Sequence, residues 1–306
     1  MPTTSFSSKP NRFLICSLFF IVLMLPLQTS GQNIRGTGVS PDNEKRSSIQ
    51  AVDGYSYLSE NMTLAETRAA AFATAKRQAL EMARTYIQSK TKVEDFVTKY
   101  DLIWASTEGA VTVLEQKDYG IIDNTRYHVW IKAEVEYELR PKLKQVDQDN
   151  SIDKSAPLTV RVWTSKKYYN NGESIEINIQ GNRDFYARIV DITPQGDIIQ
   201  LLPNGFRKIT FFEAGKVYKI PDKGDHFDLK VVPPYGRDQI VVYASEVPLG
   251  NVSMEQIGQG LSQYRGNKKT LAAQTRGIAV VPSSQSQSAY SGAEFYEATW
   301  LFTTGR

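Results

Sequence analysis

The chain has 306 residues, with 36 Lys and Arg against 33 Asp and Glu, 41% hydrophobic residues, two histidines and one cysteine. This composition is typical of a globular protein. The near balance of charges gives no electrostatic attraction to nucleic acid, so a nucleic-acid partner is excluded.

The N-terminus has the pattern of a secretory signal peptide over residues 1–31. Residues 13–27 are nearly all apolar, follow Lys9 and Arg12, and lead into a small polar segment that ends at Gly31. The run is too short and too poorly flanked for a membrane span. Cleavage near Gly31 would leave 275 residues with a net charge of +1 and no cysteine, since Cys16 is removed. We therefore expect an exported protein, periplasmic or secreted, with no stable membrane span, no disulfide and no thiol nucleophile.

The next 110 or so residues predict a β-α-β-β domain. Residues 32–50 are polar and read as a disordered leader, and a strand candidate follows at 51–58. Thr63 and Glu66 form a capping box, which predicts the start of a long Ala-rich helix. A short strand is predicted at 110–115 and a long half-buried one at 126–139, with apolar residues at alternate positions. The helix should cover one face of this antiparallel sheet, and the other face should be solvated.

The helix pattern predicts one buried stripe and one wet face. The expected stripe consists of Ala65, Ala69, Phe72, Ala75, Ala79, Met82 or Ala83, and Tyr86.

A polar segment bracketed by prolines, residues 141–157, predicts a linker between this domain, residues 51–140, and a second one, residues 158–306. The second domain has many short apolar runs separated by turn signals such as Asn170-Asn171-Gly172, which predicts a mostly antiparallel β-sandwich. A weaker helix is expected within 253–273, and a last strand at 293–302. The predicted fold class is therefore α+β.

The first domain resembles the N-terminal domain of flagellar assembly protein T and related envelope lipoprotein domains over about 90 residues. The matching features are the order of strand, Ala-rich helix, strand and strand, with Val52-Asp53-Gly54, Arg68, Ala71, Ala75, Ala79, Gly109-Ala110-Val111 and the strand 127–135. This resemblance implies a bacterial envelope protein.

The second domain resembles the bacterial family called domain of unknown function 4384, which implies an accessory or binding role. The matching residues are Tyr169-x-x-Gly172-Glu173, Tyr186, Asp191 with Gly196, Leu202-Pro203-Asn204, Ala214-Gly215, Ile220-Pro221, Pro234-x-Gly236 and Tyr243-Ala244-Ser245.

No motif in the sequence identifies a catalytic, cofactor-binding or metal-binding residue. His128 alternates with charged residues on the solvated side of a strand, so we expect a surface histidine rather than a catalytic one. His226 lies in an acidic loop, residues 222–228, which has oxygen ligands but no EF-hand order, and whether it binds a cation is left open. Trp163, Tyr168, Tyr169 and Tyr235 form either a sugar or partner platform or part of the sandwich core.

These observations favour a non-enzymatic envelope protein with an accessory or scaffolding role, which binds another envelope or surface protein and needs no cofactor. The alternative is a hydrolase that uses carboxylates, or a binding module, acting on a cell-wall polysaccharide. A purely structural domain is a third reading. An enzyme should have a deep cleft with perturbed acids, whereas a binding protein should have an exposed apolar patch or edge strand.

Overall fold

Fifteen strands and two helices make up the described part of the chain, which in this computed structural model comprises residues 43–90, 100–104, 111–141, 156–276 and 292–306. The strands of the first half are β1 (Asn43–Tyr57), β2 (Tyr100–Trp104), β3 (Val111–Ile122) and β4 (Arg126–Pro141), and helix α1 spans Leu64–Lys90. The second half contains β5 (Val160–Thr164), β6 (Tyr168–Asn170), β7 (Ile177–Gly181), β8 (Phe185–Ile192), β9 (Ile198–Leu202), β10 (Phe211–Phe212), β11 (Tyr218–Ile220), β12 (Arg237–Ser245), β13 (Glu255–Gly258), β14 (Leu261–Tyr264), α2 (Lys268–Thr275) and β15 (Ala293–Gly305).

The strands form one sheet of 12 and one of three among the described residues. The larger sheet has the order β13-β14-β9-β8-β12-β15-β1-β4-β2, with β3 also paired to β4, β10 to β8 and β6 to β15. The smaller sheet has the order β11-β7-β5 and packs its apolar face against β8, β12 and β15 in one core. The predicted α+β class, with a long helix on an antiparallel sheet and a mostly antiparallel sandwich, is therefore confirmed.

Strand β1 joins the two halves of the chain, because it pairs antiparallel with β4 on one side and with β15 on the other. The prediction of a disordered leader over 32–50 is wrong for residues 43–50, which belong to this strand. The local composition does not reveal this strand, because polar side chains of the segment form hydrogen bonds with residues that are distant in the sequence. The guanidinium of Arg46 donates to the carbonyl oxygen of Leu158 at 2.9 Å and to the hydroxyl of Thr159 at 3.1 Å. Residues 32–42 lie outside the described residues.

Helix α1 begins at the predicted capping box, in which the Thr63 amide donates to Glu66 Oε2 at 2.7 Å and the Glu66 amide donates to Thr63 Oγ1 at 3.2 Å. The buried stripe differs from the predicted one in the first turns of the helix, where Ala65 and Ala69 are exposed. The buried residues are Thr67, Ala71, Ala75, Ala79, Ala83 and Ile87.

The position of this stripe follows from a close contact at Gly54 of β1. A Cβ atom at Gly54 would collide with the carbonyl oxygen of Ala71 and would lie 2.6 Å from Cβ of Ala75. Glycine and alanine together allow the helix axis to approach the strand more closely than larger side chains would permit.

The outer face of β4 is only partly solvated, which corrects the prediction of a fully wet face. Lys132 and Glu134 are buried, with 4% and 3% of their surface exposed. Lys132 forms an ion pair of 3.1 Å with Glu115. Glu134 forms an ion pair of 2.9 Å with Arg276, which follows α2, so the C-terminal half covers this part of the face.

Two predictions in the second half need correction. Residues 253–273 were expected to be helical, but they form the β13–β14 hairpin and the first turns of α2. The reversal lies at Gly258, Gln259 and Gly260, which all have positive φ, a conformation that glycine adopts easily and a helix interior does not contain. The sequence also predicts a strand at 226–232, but this segment is not a strand of either sheet: Lys230 makes an isolated bridge with Ser174, and Leu229 and Val231 make backbone hydrogen bonds beside it. The last strand was correctly predicted and lies between β12 and β1.

The predicted division into two domains stays a prediction, because residues 142–155 of the proposed linker lie outside the described residues. The predicted signal peptide lies outside them as well. Within the part of the chain that the structure describes, no helix has the length and apolar character needed to cross a membrane.

The buried stripe of α1 can be tested with one substitution made at two positions. Ala75→Glu would place an unpaired charge between helix and sheet, which costs several kcal/mol. Ala69→Glu makes the same chemical change on the exposed face and should alter the free energy of unfolding by less than about 0.5 kcal/mol. Chemical denaturation of both variants measures the difference. Equal stability of the two variants would contradict the assigned stripe.

Candidate functional site

A pocket of about 590 Å³ lies between the larger sheet and the segment 228–234. Its floor is formed by β8, β9, β12, β14 and the end of β15, and its opposite wall by residues 228–234 and the start of β7. The walls are largely apolar, and they include Ile177, Ile199, Leu201, Val231, Ile240 and Phe302. The pocket is therefore a partly open concave site with a largely apolar lining, a combination that is typical of sites that bind small groups.

Two carboxylates, those of Asp191 and Asp238, project from the floor of this pocket. Asp191 of β8 pairs directly with Ile240 of β12, and Asp238 lies two residues before Ile240, so the strand register places both acids on the same face. Asp238 is 5% exposed, and its Oδ2 accepts a hydrogen bond of 2.8 Å from the hydroxyl of Thr304. Oδ1 of Asp191 is inaccessible to solvent and has no hydrogen-bond partner.

Burial raises the pKa of Asp191 to about 8, and the negative charge of Asp238 adds to the effect. Burial also raises the pKa of Asp238, whereas the hydrogen bond from Thr304 lowers it in part. Both changes have the same physical cause, since removing a carboxylate from water penalises its ionised form. Near neutral pH the floor of the pocket consequently holds less negative charge than two ordinary aspartates would carry.

The outer wall of the pocket is held by backbone hydrogen bonds to the turn before β7. The Ile175 amide donates to the Leu229 carbonyl at 2.8 Å, and the Val231 amide donates to the Glu173 carbonyl at 2.9 Å. The exposed side chain of Lys230 and the acidic side chain of Asp228 also line this wall. This wall is therefore a paired segment fixed to the sandwich.

The acidic loop 222–228 is compensated by a cation of the protein itself. The guanidinium of Arg207 lies 3.0 Å from Asp225 and 3.8 Å from Asp222. The Asp222 amide donates at 2.8 Å to Asp225 Oδ2, the oxygen that Arg207 also contacts, and the Gly224 amide donates to Asp222 Oδ1 at 2.6 Å. His226 is exposed at the surface of this loop. Among the described residues, no group of three or more His, Cys, Asp or Glu has an arrangement that could hold a metal ion.

His128 lies on the face of the first sheet opposite α1, as its alternation with Val129 predicts. Its ring is stacked between those of Tyr55 and Tyr119, with centroid distances of 4.6 and 4.5 Å. Its Nε2 lies 2.7 Å from Oδ1 of Asp53. The two histidines lie at separate places, and neither lines the pocket described above.

The four aromatic residues considered as a platform do not share one exposed surface. Tyr169 is fully buried, Trp163 and Tyr235 pack against the core, and Tyr168 is 51% exposed. For three of the four, the core interpretation is therefore the one that the structure supports.

Sequence reasoning did not select Asp191 or Asp238 as site residues. Asp191 nevertheless leaves a local signal, because it is an acid inside the otherwise apolar run Ile189-Val190-Asp191-Ile192. An ionisable residue in a buried strand is unusual unless it is paired or functional. Asp238 has no comparable signal, since it lies at the start of a strand next to Arg237, and only the register of β8 and β12 brings the two acids together.

The fold and site define an α+β protein whose sandwich carries a partly acidic pocket. Residues 168–248 match the family model described as a domain of unknown function, DUF4384, so the predicted resemblance of the second half is supported over this segment. The segment contains both Asp191 and Asp238 as well as the wall 228–234. The comparison with curated proteins finds no match.

The unusual protonation of Asp191 predicts a stability that depends on pH. With a pKa raised from 3.8 to about 8, the folded protein retains a proton that the unfolded chain loses. The stability that this proton supplies is fully present below about pH 4 and is lost as the pH rises through about 8. Asp191→Asn removes this titration, so it should melt above the parent by at least about 2 °C at pH 8 and by progressively less toward pH 4.

Thermal melts at pH 4, 6 and 8 measure this effect. Glu60→Gln, which removes a charge from an exposed position outside the pocket, is the matched control and should follow the parent. A constant difference between Asp191→Asn and the parent at all three pH values would contradict the assignment.

Proposed function

We propose that this chain is a non-enzymatic, exported protein of the bacterial cell envelope, with an accessory or scaffolding role that it exerts by binding another protein through the acidic pocket. The observation that carries the proposal is the pocket itself, whose largely apolar walls surround the carboxyl groups of Asp191 and Asp238, neither of which forms an ion pair with a described residue. A recognition site of this kind takes its missing partner group from the ligand.

The direction of the two pKa values supports binding over acid–base catalysis. A pair of catalytic carboxylates normally has its pKa values moved apart, so that one group donates a proton while the other stays ionised. In this pocket the pKa values of Asp191 and Asp238 both move upward. For neither acid do the surroundings favour the ionised form overall, as they do for the group that stays ionised in such a catalytic pair.

The alternative function is hydrolysis or recognition of a cell-wall polysaccharide, and one observation favours it. A cleft with perturbed acids is the feature expected of an enzyme of this class, and the pocket contains two such acids. The third reading, a purely structural domain, offers no role for the unpaired oxygen of Asp191.

Export and envelope location rest on the sequence. The apolar run 13–27 after Lys9 and Arg12 supports a signal peptide, and an envelope role follows from the resemblance that we propose between residues 51–140 and the N-terminal domain of flagellar assembly protein T. Whether the mature protein is periplasmic, attached to the surface or released is a separate question from the pocket.

Pull-down from envelope extract tests the binding proposal against the hydrolase alternative. The wild-type protein should retain a specific envelope protein, and a double variant with Asp191→Asn and Asp238→Asn should lose it, whereas Glu60→Gln should keep it. In parallel, the purified protein is incubated with peptidoglycan and chromogenic glycosides. Turnover that the double variant abolishes would replace the binding proposal with the hydrolase one.

Processing at the N-terminus is tested by the intact mass of the protein from its native host. We expect a chain that begins near Gln32, because the charged, apolar and small-residue regions precede it in the order of a signal peptide. Replacing residues of the apolar run with charged ones, for example Leu18→Arg together with Val22→Arg, should block export. A chain that keeps Met1 and sediments with membranes would identify residues 13–27 as an anchor instead.

A further inference from the structure

We propose that the pocket receives a lysine or arginine side chain of the partner protein, whose cation pairs with Asp191 and whose aliphatic stem lies against the apolar walls. This inference rests on the proposed binding function and specifies the chemistry of the ligand.

Several buried or half-buried carboxylates outside the pocket are matched by an arginine of the chain itself. Glu134 and Glu297 both contact Arg276, at 2.9 and 3.1 Å. Asp225 contacts Arg207 at 3.0 Å, and fully buried Glu294 lies 3.6 Å from Arg183. The fold therefore compensates buried negative charge with its own cations wherever the packing brings the two together.

Asp191 departs from this pattern. Its side-chain Oδ1 has neither a hydrogen-bond partner nor contact with solvent, while the residue as a whole is half-buried and lines the pocket. The neighbouring charge that acts on its ionisation is that of another acid, Asp238, which raises the pKa of Asp191 further. The cationic residue that lines the pocket is Lys230, but its side chain is exposed at the outer wall. A cation from outside the protein would supply the positive charge that the fold does not place beside Asp191.

The form of the pocket restricts which cation fits. A hydrated metal ion needs several oxygen or nitrogen ligands, and no group of three or more potential metal-ligating side chains is present among the described residues. Apolar groups such as Ile177, Ile199 and Phe302 instead suit the methylene stem of lysine or arginine, which buries its length and leaves only the head to be paired. A volume of about 590 Å³ leaves space for this side chain and adjoining peptide atoms.

Binding should strengthen with pH, because the cation favours ionised Asp191 and the free pocket holds a proton there up to about pH 8. The other charged groups that line the pocket are Asp197, Asp228, Lys230 and Asp238. Three of these four are acids, so together they also favour a cation over an anion.

The experiment titrates the purified protein with blocked tripeptides of the form Gly-X-Gly, followed by NMR, at pH 6 and pH 8. X is lysine, arginine, acetyl-lysine or norleucine, the last being an uncharged chain of similar length. The lysine or arginine peptide should bind, more tightly at pH 8 than at pH 6. Acetyl-lysine and norleucine should bind at least about tenfold more weakly, which corresponds to the loss of one charge-assisted contact. Asp191→Asn should weaken the cationic peptides by a similar factor, and Glu60→Gln should not.

Equal binding of the lysine and norleucine peptides, or unchanged binding by Asp191→Asn with its fold verified by thermal melting, would overturn the proposal. If 1,4-diaminobutane binds but neither cationic peptide does, the pocket is a site for free amines. The proposal that the ligand is a side chain of a partner protein would then be wrong. If none of the tripeptides binds, while Asp191→Asn and the double variant both still capture an envelope protein, this inference is wrong. The binding function would then lie at another surface. Turnover of glycans would remove the proposed function itself.

Discussion

The pairing of β1 on both of its edges is the constraint on which the remaining structure depends. Its N-terminal part pairs with β15 and its whole length from Arg46 pairs with β4, so the last and the first strands of the described chain are neighbours. The strand thus completes the hydrogen bonding of β4 and of β15 at once, and neither is left with an open edge beside it. Removing β1 would expose both edges and uncover the Ala-rich face of α1, which contacts the strand at Gly54.

The long elements of the fold could be predicted from sequence because their signals are local. The capping box at Thr63, the alternation in β4 and the turn residues of the second half each depend on neighbours a few positions away. Segment 43–50 was missed because its burial depends on partners far along the chain, such as Tyr296, whose ring lies 4.7 Å from the Arg46 guanidinium. The predicted stripe of α1 is wrong in the first turns because alanine occurs on several faces of this helix. Only the contact with Gly54 determines which of these faces is buried.

The pocket illustrates the same limit at the level of a site. Asp191 could have been noticed as an acid in an apolar strand, yet its chemistry depends on Asp238, on Thr304 and on the wall 228–234, which are distant from it in the chain. Their meeting is set by strand register, which a single sequence does not specify for non-adjacent strands. The acidic loop 222–228 attracted more attention in the sequence, but Arg207, which lies outside the loop, satisfies it. A cluster of charged residues in the sequence was therefore a poorer indicator of the candidate site than a single acid within an apolar strand.

A buried acid without a partner opposes folding, so its presence in an otherwise compensated structure requires a reason. The cost is limited because the carboxyl group of Asp191 can keep its proton, and its raised pKa expresses that outcome. Asparagine at this position would avoid the titration altogether, and an arginine nearby would pair the charge, as Arg276 does for Glu134. Neither solution would leave a group that is neutral in the empty pocket and becomes an anion when a cation enters. Such a group gives selectivity between a charged and an uncharged side chain of the same shape, because only the charged one displaces the proton and makes the ion pair.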